Sequence, residues 1–260
     1  MLTIDLSGQT AVVTGASRGI GLAVTRALTG SGARVIAGAL HSSAELDRLA
    51  EKGLVTVREV DLTRPDGPGE LVALAGDRVD ILVNNVGGAP ARTDGFLAIT
   101  DEEWLTTLNL NLMTAVRACR SALPAMLAAG RGAIVNMCSV NSLLADPGVM
   151  DYSAAKAALA NFSKALSIEV GPRGVRVNTV SPGPVATDLW LGAGGVAATI
   201  GQATGARPED VASGAARTML TGRFTRPEEV ADLVLLLASD VTANVTGADI
   251  RIDGGLIPTW

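Results

Sequence analysis

Short apolar runs alternate with amphipathic stretches along most of the chain, and this alternation predicts its secondary structure. The first run, Thr10–Thr14, is continuous and apolar, as is typical of a parallel strand buried on both faces. Six later runs are similarly short and rich in β-branched residues. The predicted strands are Thr10–Thr14, Val35–Ala37, Val55–Val60, Asp80–Asn84, Ala133–Met137, Val175–Val180 and Asp249–Ile252.

Between these strands the apolar residues indicate helices. One of them begins at Pro227, a residue favoured at the first helical position, and Glu228 and Glu229 suit the positive end of its dipole. Strands that alternate with helices form right-handed βαβ units, so we predict an α/β fold: a doubly wound parallel sheet of about seven strands in a three-layer α/β/α arrangement. The predicted helices are Ile20–Thr29, Leu46–Ala50, residues 69–75, about Asp101 to Ala129, about Tyr152 to Val170, and the segment from Pro227.

One long segment departs from this pattern. Residues 188–224 are rich in Gly, Ala and Thr and contain no clear strand. An insertion of this length in a compact domain is usually a functional lid or a mobile segment. It follows the sixth strand, at the sheet edge where open α/β folds bind ligands. Because no linker divides the chain, we expect one domain over residues 1–260 with a substrate lid at about 188–224.

Composition and charge exclude several classes of function. The formal charge of −5 is spread along the chain without a basic tract, so we expect no nucleic-acid partner. Cys119 and Cys138 lack metal-ligand spacing, and His41 is the single histidine, so we expect no metal site and no Ser-His-Asp triad. The start of the chain lacks the pattern of a signal peptide, and its apolar stretches are too short to span a membrane. We therefore expect a cytoplasmic protein with reduced thiols.

A glycine-rich turn follows the first strand and opens the first helix. Gly15, Gly19 and Gly21 have the spacing Gly-x-x-x-Gly-x-Gly. Glycines at such a turn allow a pyrophosphate to approach the backbone, and the helix N-terminus offers free N–H groups and a positive dipole end. This context favours a dinucleotide site, although the spacing differs from the general Gly-x-Gly-x-x-Gly fingerprint and a turn without a ligand is the alternative.

Tyr152 and Lys156 lie four residues apart in a predicted helix, and Ser139 lies thirteen positions upstream of Tyr152. Side chains at this helical spacing share one face. A nearby ammonium would favour the phenolate and lower the pKa of Tyr152, so the pair could exchange a proton with a substrate oxygen. Taken alone, such a pair is more often an ordinary contact on a helix surface.

Taken together, these motifs resemble the short-chain dehydrogenase/reductase family in its single-domain form, and the overall pattern is similar to 3-oxoacyl-carrier-protein reductases. The resemblance covers essentially the whole chain and implies a Rossmann-like fold. It rests on several ordered matches at the right separations. These are Thr14-Gly15-x-x-x-Gly19-x-Gly21, Asn84-Asn85-Val86-Gly87 with Val in place of the family's Ala, the tetrad Asn111, Ser139, Tyr152 and Lys156, Ser181-Pro182-Gly183 through Thr187, and Ile252-Asp253-Gly254-Gly255.

The resemblance implies a role for each member of the tetrad. Tyr152 would be the general acid in carbonyl reduction or the general base in alcohol oxidation. Lys156 would lower the pKa of Tyr152 and hold the nicotinamide ribose, while Ser139 would bind the substrate oxygen. Asn111 would help to hold a water that leads to Lys156. Asn109 lies close by, and apolar spacing does not choose between the two; the separation from Trp104 in the family pattern favours Asn111.

The end of the second strand bears on the choice of cofactor. Ala39 occupies the position where NAD-selective relatives carry Asp, and Arg18 matches an arginine that reaches the 2′-phosphate in relatives that use NADP. His41, Ser42 and Ser43 could add donors. We therefore expect NADP(H), with NAD(H) as the alternative. The expected cofactor-binding residues are Gly15, Ser17, Arg18, Gly19, Ile20, Gly21, Ala39, Leu40, His41, Asp61, Leu62, Asn85, Val86, Gly87, Tyr152, Lys156, Pro182, Gly183, Val185 and Thr187.

The residues expected to line the substrate pocket are nearly all apolar or small, which favours a neutral, fairly hydrophobic ketone or secondary alcohol. A carrier-bound 3-oxoacyl chain is an alternative, and a cofactor-sensing regulator on the same fold is another, although a regulator would be expected to lose part of the tetrad. The resemblance implies a homotetramer, or else a dimer, and residues 101–129 and 151–170 are Ala- and Leu-rich over more than one face, which is consistent with a buried interface. The expected pocket residues are Ser139, Asn141, Pro184, Leu189 and Trp190, together with Gly88, Ala89, Val140, Leu143 and Met150.

Overall fold

Seven parallel strands form one central sheet in the computed structural model, which describes residues 3–259. The order across the sheet is β3-β2-β1-β4-β5-β6-β7, so the winding reverses between β1 and β4. Open α/β sheets bind ligands at this kind of switch point. The predicted fold class is confirmed. The strands are β1 (Thr10–Thr14), β2 (Arg34–Ala39), β3 (Val55–Glu59), β4 (Ile81–Asn84), β5 (Gly132–Met137), β6 (Val175–Pro182) and β7 (Asp249–Ile252).

Helices cover both faces of the sheet, in the predicted three layers. The predicted ends of the helices agree with the structure to within about two residues. Within residues 3–259, no helix is long and apolar enough to cross a membrane. The helices are α1 (Gly19–Gly30), α2 (Ala44–Glu51), α3 (Gly67–Ala73), α4 (Asp101–Leu108), α5 (Thr114–Ala129), α6 (Met150–Val170), α7 (Asp188–Leu191), α8 (Val196–Thr204), α9 (Pro208–Thr218) and α10 (Pro227–Ala238).

The core consists of one apolar layer on each face of the sheet, because successive side chains of a strand point to opposite faces. On β1, Val13 packs with Val24 of α1 and Val230 of α10. Its neighbour Val12 belongs to the other layer, with Leu71 of α3 and residues of α5 and α6. The strands are buried on both sides, which explains why their sequences are almost continuously apolar.

The predicted helix over residues 101–129 is present, but a π-helical turn at Asn109–Met113 joins α4 to α5. In this turn the Thr114 N–H donates to the Asn109 carbonyl five residues earlier. Such a turn adds a residue to the helical path and changes the direction of side chains after it, and π-bulges are frequent at functional sites. Apolar spacing did not predict it, since Ala- and Leu-rich sequence is compatible with either winding.

The segment at 188–224 contains three short helices, α7 to α9, where the sequence analysis predicted none. Pro208 begins α9 with Glu209 and Asp210 in its first turn, and Gly205 ends α8 in a left-handed conformation (φ +74°). These are ordinary start and stop signals. These signals were obscured by the Gly, Ala and Thr content of the segment, because α9 has only a weak apolar face and no buried residue.

Candidate active site

The segments that carry the predicted site residues meet at the carboxyl edge of the sheet. The glycine turn follows β1, residues 85–88 follow β4, Ser139 follows β5 and residues 183–187 follow β6. Because these strands are neighbours in a parallel sheet, their ends lie side by side. The fold therefore brings together residues as far apart in the sequence as Gly15 and Thr187, which are 172 positions apart.

The glycine turn has the backbone conformation that a diphosphate cradle requires. Gly15 (φ +66°) and Gly19 (φ +54°) adopt left-handed angles that favour glycine. A Cβ at Gly21 would lie 2.0 Å from the Gly15 carbonyl oxygen, so no larger residue fits there. The first N–H groups of α1, from Gly19 to Gly21, have no acceptor inside the helix. The observed turn thus fits the phosphates of a dinucleotide.

Asn85 and Thr14 fix this turn to the end of β4. The Asn85 side-chain amide donates to the carbonyls of Thr14 (3.1 Å) and Gly15 (3.0 Å), while the Asn85 N–H donates to the Thr14 hydroxyl (2.9 Å). Val86 N–H reaches the same hydroxyl at 3.2 Å. The Asn85 side chain therefore shapes the glycine turn, whereas the predicted direct contact of Asn85 and Val86 with the cofactor stays a prediction.

At the adenosine end of the predicted cofactor site, two basic side chains are exposed, and two serine hydroxyls donate hydrogen bonds within the protein. Ala39 is buried at the end of β2. Leu40 and His41, which follow it, are exposed, and Arg18 in the glycine turn is exposed as well. The Ser42 hydroxyl donates to Asp47, and the Ser43 hydroxyl donates to the Ser17 carbonyl (2.7 Å). Of the expected donors, Arg18 and His41 have no side-chain hydrogen bond within residues 3–259.

An acidic residue that the sequence analysis did not single out also lies at this end. Glu59, the last residue of β3, accepts a hydrogen bond from the Ser42 N–H at 2.7 Å. It is opposite Ala39 in the register of β2 and β3. Nearby, the Asp61 carboxylate accepts from the Thr63 N–H (2.9 Å) and hydroxyl (2.6 Å), and these bonds hold the pKa of Asp61 below its usual value. Asp61 is thus a turn residue, and Leu62 beside it is buried.

Tyr152 and Lys156 share one face of α6, as predicted, and both are buried. The Lys156 ammonium lies 5.6 Å from the centroid of the Tyr152 ring and donates to the Met137 carbonyl at 2.8 Å. A Cβ at Gly87 would lie 3.2 Å from the Lys156 Nζ and 2.8 Å from Asn111 Oδ1. Gly87 therefore lets the backbone after β4 approach both side chains closely.

The structure distinguishes Asn111 from Asn109. Asn111 is buried in the π turn, donates to the Gly88 carbonyl (2.9 Å) and accepts from the Gly88 N–H (3.1 Å). Asn109 instead donates to the Thr63 carbonyl and accepts from Arg117, away from Tyr152. The predicted choice of Asn111 thus agrees with the geometry, although its catalytic role stays a prediction.

Ser139 begins the 3₁₀ turn after β5 and is oriented by Asn141. Its hydroxyl donates to Asn141 Oδ1 (3.2 Å) and accepts from the Asn141 N–H (3.2 Å). The Asn141 amide in turn donates to the Leu144 carbonyl. A contact with the Ser139 hydroxyl also acts to lower the pKa of Tyr152. Ser139, Asn141 and Tyr152 consequently face the same space.

Burial dominates the acid–base behaviour of the pair. It raises the pKa of Tyr152 to about 12, against the smaller effect of Ser139. Burial also lowers the pKa of Lys156 to about 8. The net shift of the Tyr152 pKa is thus upward, and the predicted lowering effect of Lys156, whose ammonium donates to the Met137 carbonyl, stays a prediction.

The segment after β6 closes the other side of the site. Pro182 ends β6, and a Cβ at Gly183 would lie 3.0 Å from Asp253 Cα. Thr187 packs against Gly19, because a Cβ there would lie 3.1 Å from the Thr187 Cγ2. The buried Val185 pairs with Thr225 beyond α9. The start and end of the predicted lid are thus tied to the glycine turn and to β6.

The predicted substrate residues follow β5 and β6, at the same edge of the sheet. Trp190 of α7 meets Phe224 edge-on, with ring centroids 5.3 Å apart. Pro184 is buried, whereas Leu189 and Leu143 are exposed. The contacts of Phe224 with Trp190 and of the Leu144 carbonyl with Asn141 were not predicted, since each residue carries only the general signal of an apolar residue in a loop.

Comparison with known proteins agrees with a dinucleotide-dependent oxidoreductase. A family model described as enoyl-(acyl carrier protein) reductase matches residues 15–257. The chain belongs to the short-chain dehydrogenase/reductase family, whose oxidoreductases act on CH–OH and C=O groups. It is 34% identical to the 3-oxoacyl-[acyl-carrier-protein] reductase FabG of Thermotoga maritima over 97% of this chain and 99% of that protein.

Two further relatives act on small polyols or sugars by name. The chain is 38% identical to D-threitol dehydrogenase of Mycolicibacterium smegmatis, over 96% of this chain and 93% of the relative. The crystal structure of L-sorbose reductase from Gluconobacter frateurii, complexed with NADPH and L-sorbose, superposes with a TM-score of 0.90 at 30% identity, and all of both chains is covered. The fold is therefore that of the family over the whole chain.

Proposed function

We propose that this protein transfers a hydride between NADP(H) and a ketone or secondary alcohol, with Tyr152 as the general acid or base. The observation that carries the proposal is the convergence of Tyr152, Lys156, Ser139 and Asn111 beside Gly87, at the edge that holds the glycine turn. Either part alone has an ordinary structural explanation. Together they support a proton donor beside a site that fits a dinucleotide.

Each side chain has a distinct part in the proposed reaction. The Ser139 hydroxyl donates to the substrate oxygen and orients it, and Tyr152 delivers the proton when a carbonyl is reduced. Lys156 holds the nicotinamide ribose, and Asn111 fixes the backbone at Gly88 and a path for the proton toward Lys156. The bound cofactor supplies or accepts the hydride.

NADP(H) is favoured over NAD(H) by the residues at the adenosine end. No acid follows β2 to bind a ribose 2′-hydroxyl, since Ala39 ends that strand. Arg18 is exposed at the glycine turn, where its guanidinium can pair with a 2′-phosphate. The L-sorbose reductase structure contains NADPH. Glu59 is a nearby acidic group that opposes this choice, and its carboxylate accepts a hydrogen bond from the Ser42 N–H.

For the substrate, we propose a neutral carbonyl compound beneath a lid formed by residues 188–224. The apolar side chains predicted to line the site favour a neutral compound, and the relative named D-threitol dehydrogenase favours a small polyhydroxy compound. Reduction of a carrier-bound 3-oxoacyl chain is the second candidate, supported by the 34% identity to the Thermotoga maritima reductase. Activity with an acyl-carrier thioester above that with simple ketones and ketoses would favour the second candidate.

We further propose a homotetramer in the cytoplasm. Leu105 of α4 and Ile168 of α6 are 67% and 69% exposed, and these are the surfaces that were predicted to pair. Both cysteines are unpaired and buried within the described residues, as expected in a reducing compartment.

The decisive experiment follows NADPH absorbance while the protein is mixed with ketones, ketoses and a 3-oxoacyl thioester. We expect turnover with at least one class and loss of at least about a thousandfold in Tyr152→Phe, because the proton donor is removed. NADPH binding to Tyr152→Phe should stay within about twofold and serves as the folding control. Tight NADPH binding without turnover across the panel would instead favour a cofactor-sensing regulator.

A further inference from the structure

An ion pair that takes no part in the proposed proton transfer lies directly beside it. Arg92, in the loop after β4, reaches Asp151, the residue before Tyr152. Its guanidinium donates to Asp151 Oδ2 at 2.5 Å and to Oδ1 at 3.3 Å. Asp151 is fully buried and the Arg92 side chain is 12% exposed. Since a buried ion pair adds little stability over apolar side chains of similar volume, stability alone does not account for it.

The pair is linked through α4 to Asn111. The Thr107 hydroxyl donates to Asp151 Oδ2 at 2.7 Å, and the Thr107 carbonyl accepts from the Asn111 amide at 3.1 Å. The π turn that contains Asn111 begins two residues after Thr107. A continuous set of hydrogen bonds therefore joins Asp151, next to Tyr152, with Asn111.

The loop after β4 is held at two positions, Gly88 and Arg92, by groups of this hydrogen-bonded set and its neighbours. Gly88 exchanges two hydrogen bonds with the Asn111 side chain. Four residues on, the Arg92 N–H donates to the Gly148 carbonyl at 2.7 Å, and its guanidinium also reaches Glu103 at 2.6 Å. Arg92 thus connects the two loops, after β4 and after β5, that border the substrate side of Tyr152.

We propose that Arg92 and Asp151 are positioning residues: their ion pair holds the first turn of α6, with Tyr152, in register with the loop at Gly87–Arg92 and with Asn111. This inference rests on the proposed function. It assigns the pair no contact with the substrate. The alignment of the phenol with the carbonyl would depend on the pair, because small displacements of a reacting group reduce rates steeply.

Removing one partner has a different consequence from removing both. Burial by itself would raise the pKa of Asp151, but the Arg92 and Thr107 hydrogen bonds hold it below its usual value. Within residues 3–259, Arg92 is the cation paired with this carboxylate, and Glu103 meets the same guanidinium from α4. Without Arg92, the carboxylate becomes an unpaired buried anion that the first turn of α6 must relieve by moving or by taking up a proton.

The test compares Arg92→Met, Asp151→Asn and the double variant. We expect Arg92→Met to lower kcat about tenfold to a hundredfold and to leave the Kd for NADPH within about twofold. The isotope effect with NADPH deuterated at the transferred hydrogen should rise, since misalignment slows the hydride step. Activity relative to the unmodified protein should recover as the pH falls, because protonation removes the unpaired charge. The double variant should exceed Arg92→Met in kcat and lack this recovery.

Arg131→Met is the matched control, because Arg131 pairs with the buried Asp80 at the opposite edge of the sheet. It should leave kcat and the isotope effect unchanged. If Arg92→Met lowers only the melting temperature, with kcat and isotope effect unaltered, the positioning role is refuted. Hydrogen exchange at residues 86–92 and 148–156 should rise in Arg92→Met. That measurement needs no turnover, so it tests the pair even if the panel of ketones shows the proposed function to be wrong.

Discussion

Among single residues, Tyr152 offers a direct test because it is the one tyrosine in the chain. The near-ultraviolet absorbance of phenolate therefore reports this site alone. Burial raises the pKa of Tyr152 to about 12, so the ligand-free protein should show little phenolate even at roughly pH 10. Half-titration at or below roughly pH 10 would contradict this expectation, and the denatured chain, titrating near the ordinary value, is the control.

The sign of this shift has a kinetic consequence. A phenol with a raised pKa keeps its proton at neutral pH, which suits the acid in carbonyl reduction. Alcohol oxidation needs the phenolate, so its rate should increase with pH over the range where reduction is nearly constant. We expect the two pH profiles to diverge in this direction when both are measured with one substrate pair.

Arg18 carries the prediction on cofactor choice. Arg18→Ala should raise the Kd for NADPH about tenfold or more and change the Kd for NADH less than about twofold, because only NADPH has a 2′-phosphate to pair with the guanidinium. Fluorescence titration with each cofactor measures both constants. Arg131→Ala, which changes a surface arginine at the other sheet edge, should affect neither. Equal weakening of both cofactors would mean that Arg18 acts on the shared diphosphate.

Whether the sequence can predict a contact between two residues depends on how far apart they lie along the chain. Tyr152 and Lys156 meet because one helical turn separates them, so a pattern could predict their contact. Arg92 and Asp151 are 59 positions apart and meet only because two loops converge at the sheet edge. No local pattern predicts such a contact. The same holds for the Met137 carbonyl, since backbone acceptors carry no sequence signal.

Among the elements, the helices α7 to α9 of the predicted lid are weakly attached to the core, and α7 has no buried residue. Ala197 and Gly201 are the buried residues of α8, and α9 has none. Helices with so little buried surface open at low free-energy cost. Their amides over residues 196–218 should therefore exchange hydrogen much faster than those of α6.

A lid should become protected when the site is filled. Adding NADPH together with a product alcohol should slow exchange over 196–218, because closure buries the inner surface of these helices. Residues 120–129 of α5, which lead to the start of β5 at the amino edge of the sheet, away from the predicted cofactor site, serve as the internal control. Unchanged exchange over 196–218 with a saturating ligand pair would contradict a lid role for the segment.

The elements also show why some boundaries were predictable and others were not. Strands buried on both faces have continuous apolar sequences, and their positions follow from that pattern. The π turn at Asn109–Met113 hardly alters the spacing of apolar residues, so the sequence did not predict it, although it sets the position of Asn111. In α9, capping signals at Pro208 were present, but the weak apolar face concealed the helix.

For the molecule as a whole, the alternation of strands and helices predicts a parallel sheet but not its strand order. The reversal between β1 and β4, which creates the cofactor edge, depends on packing between distant segments. The pattern along the chain left several strand orders possible, and the order across the sheet was not predicted. The site residues consequently became interpretable as one group only through the complete topology.

The exposed apolar surface of α4 predicts an oligomeric state for the molecule. Leu105 on α4 is 67% exposed and borders an apolar groove of about 750 Å³ that Leu108, Leu112 and Met113 also line. Burying an exposed leucine at an interface is worth about 1.5–3 kcal/mol, and two or more copies are lost together when a symmetric contact is broken. Leu105→Glu should therefore shift a tetramer to smaller species in sedimentation velocity. Leu54→Glu, at the opposite end of the sheet, should not. A monomeric unmodified protein would show that the groove has another role.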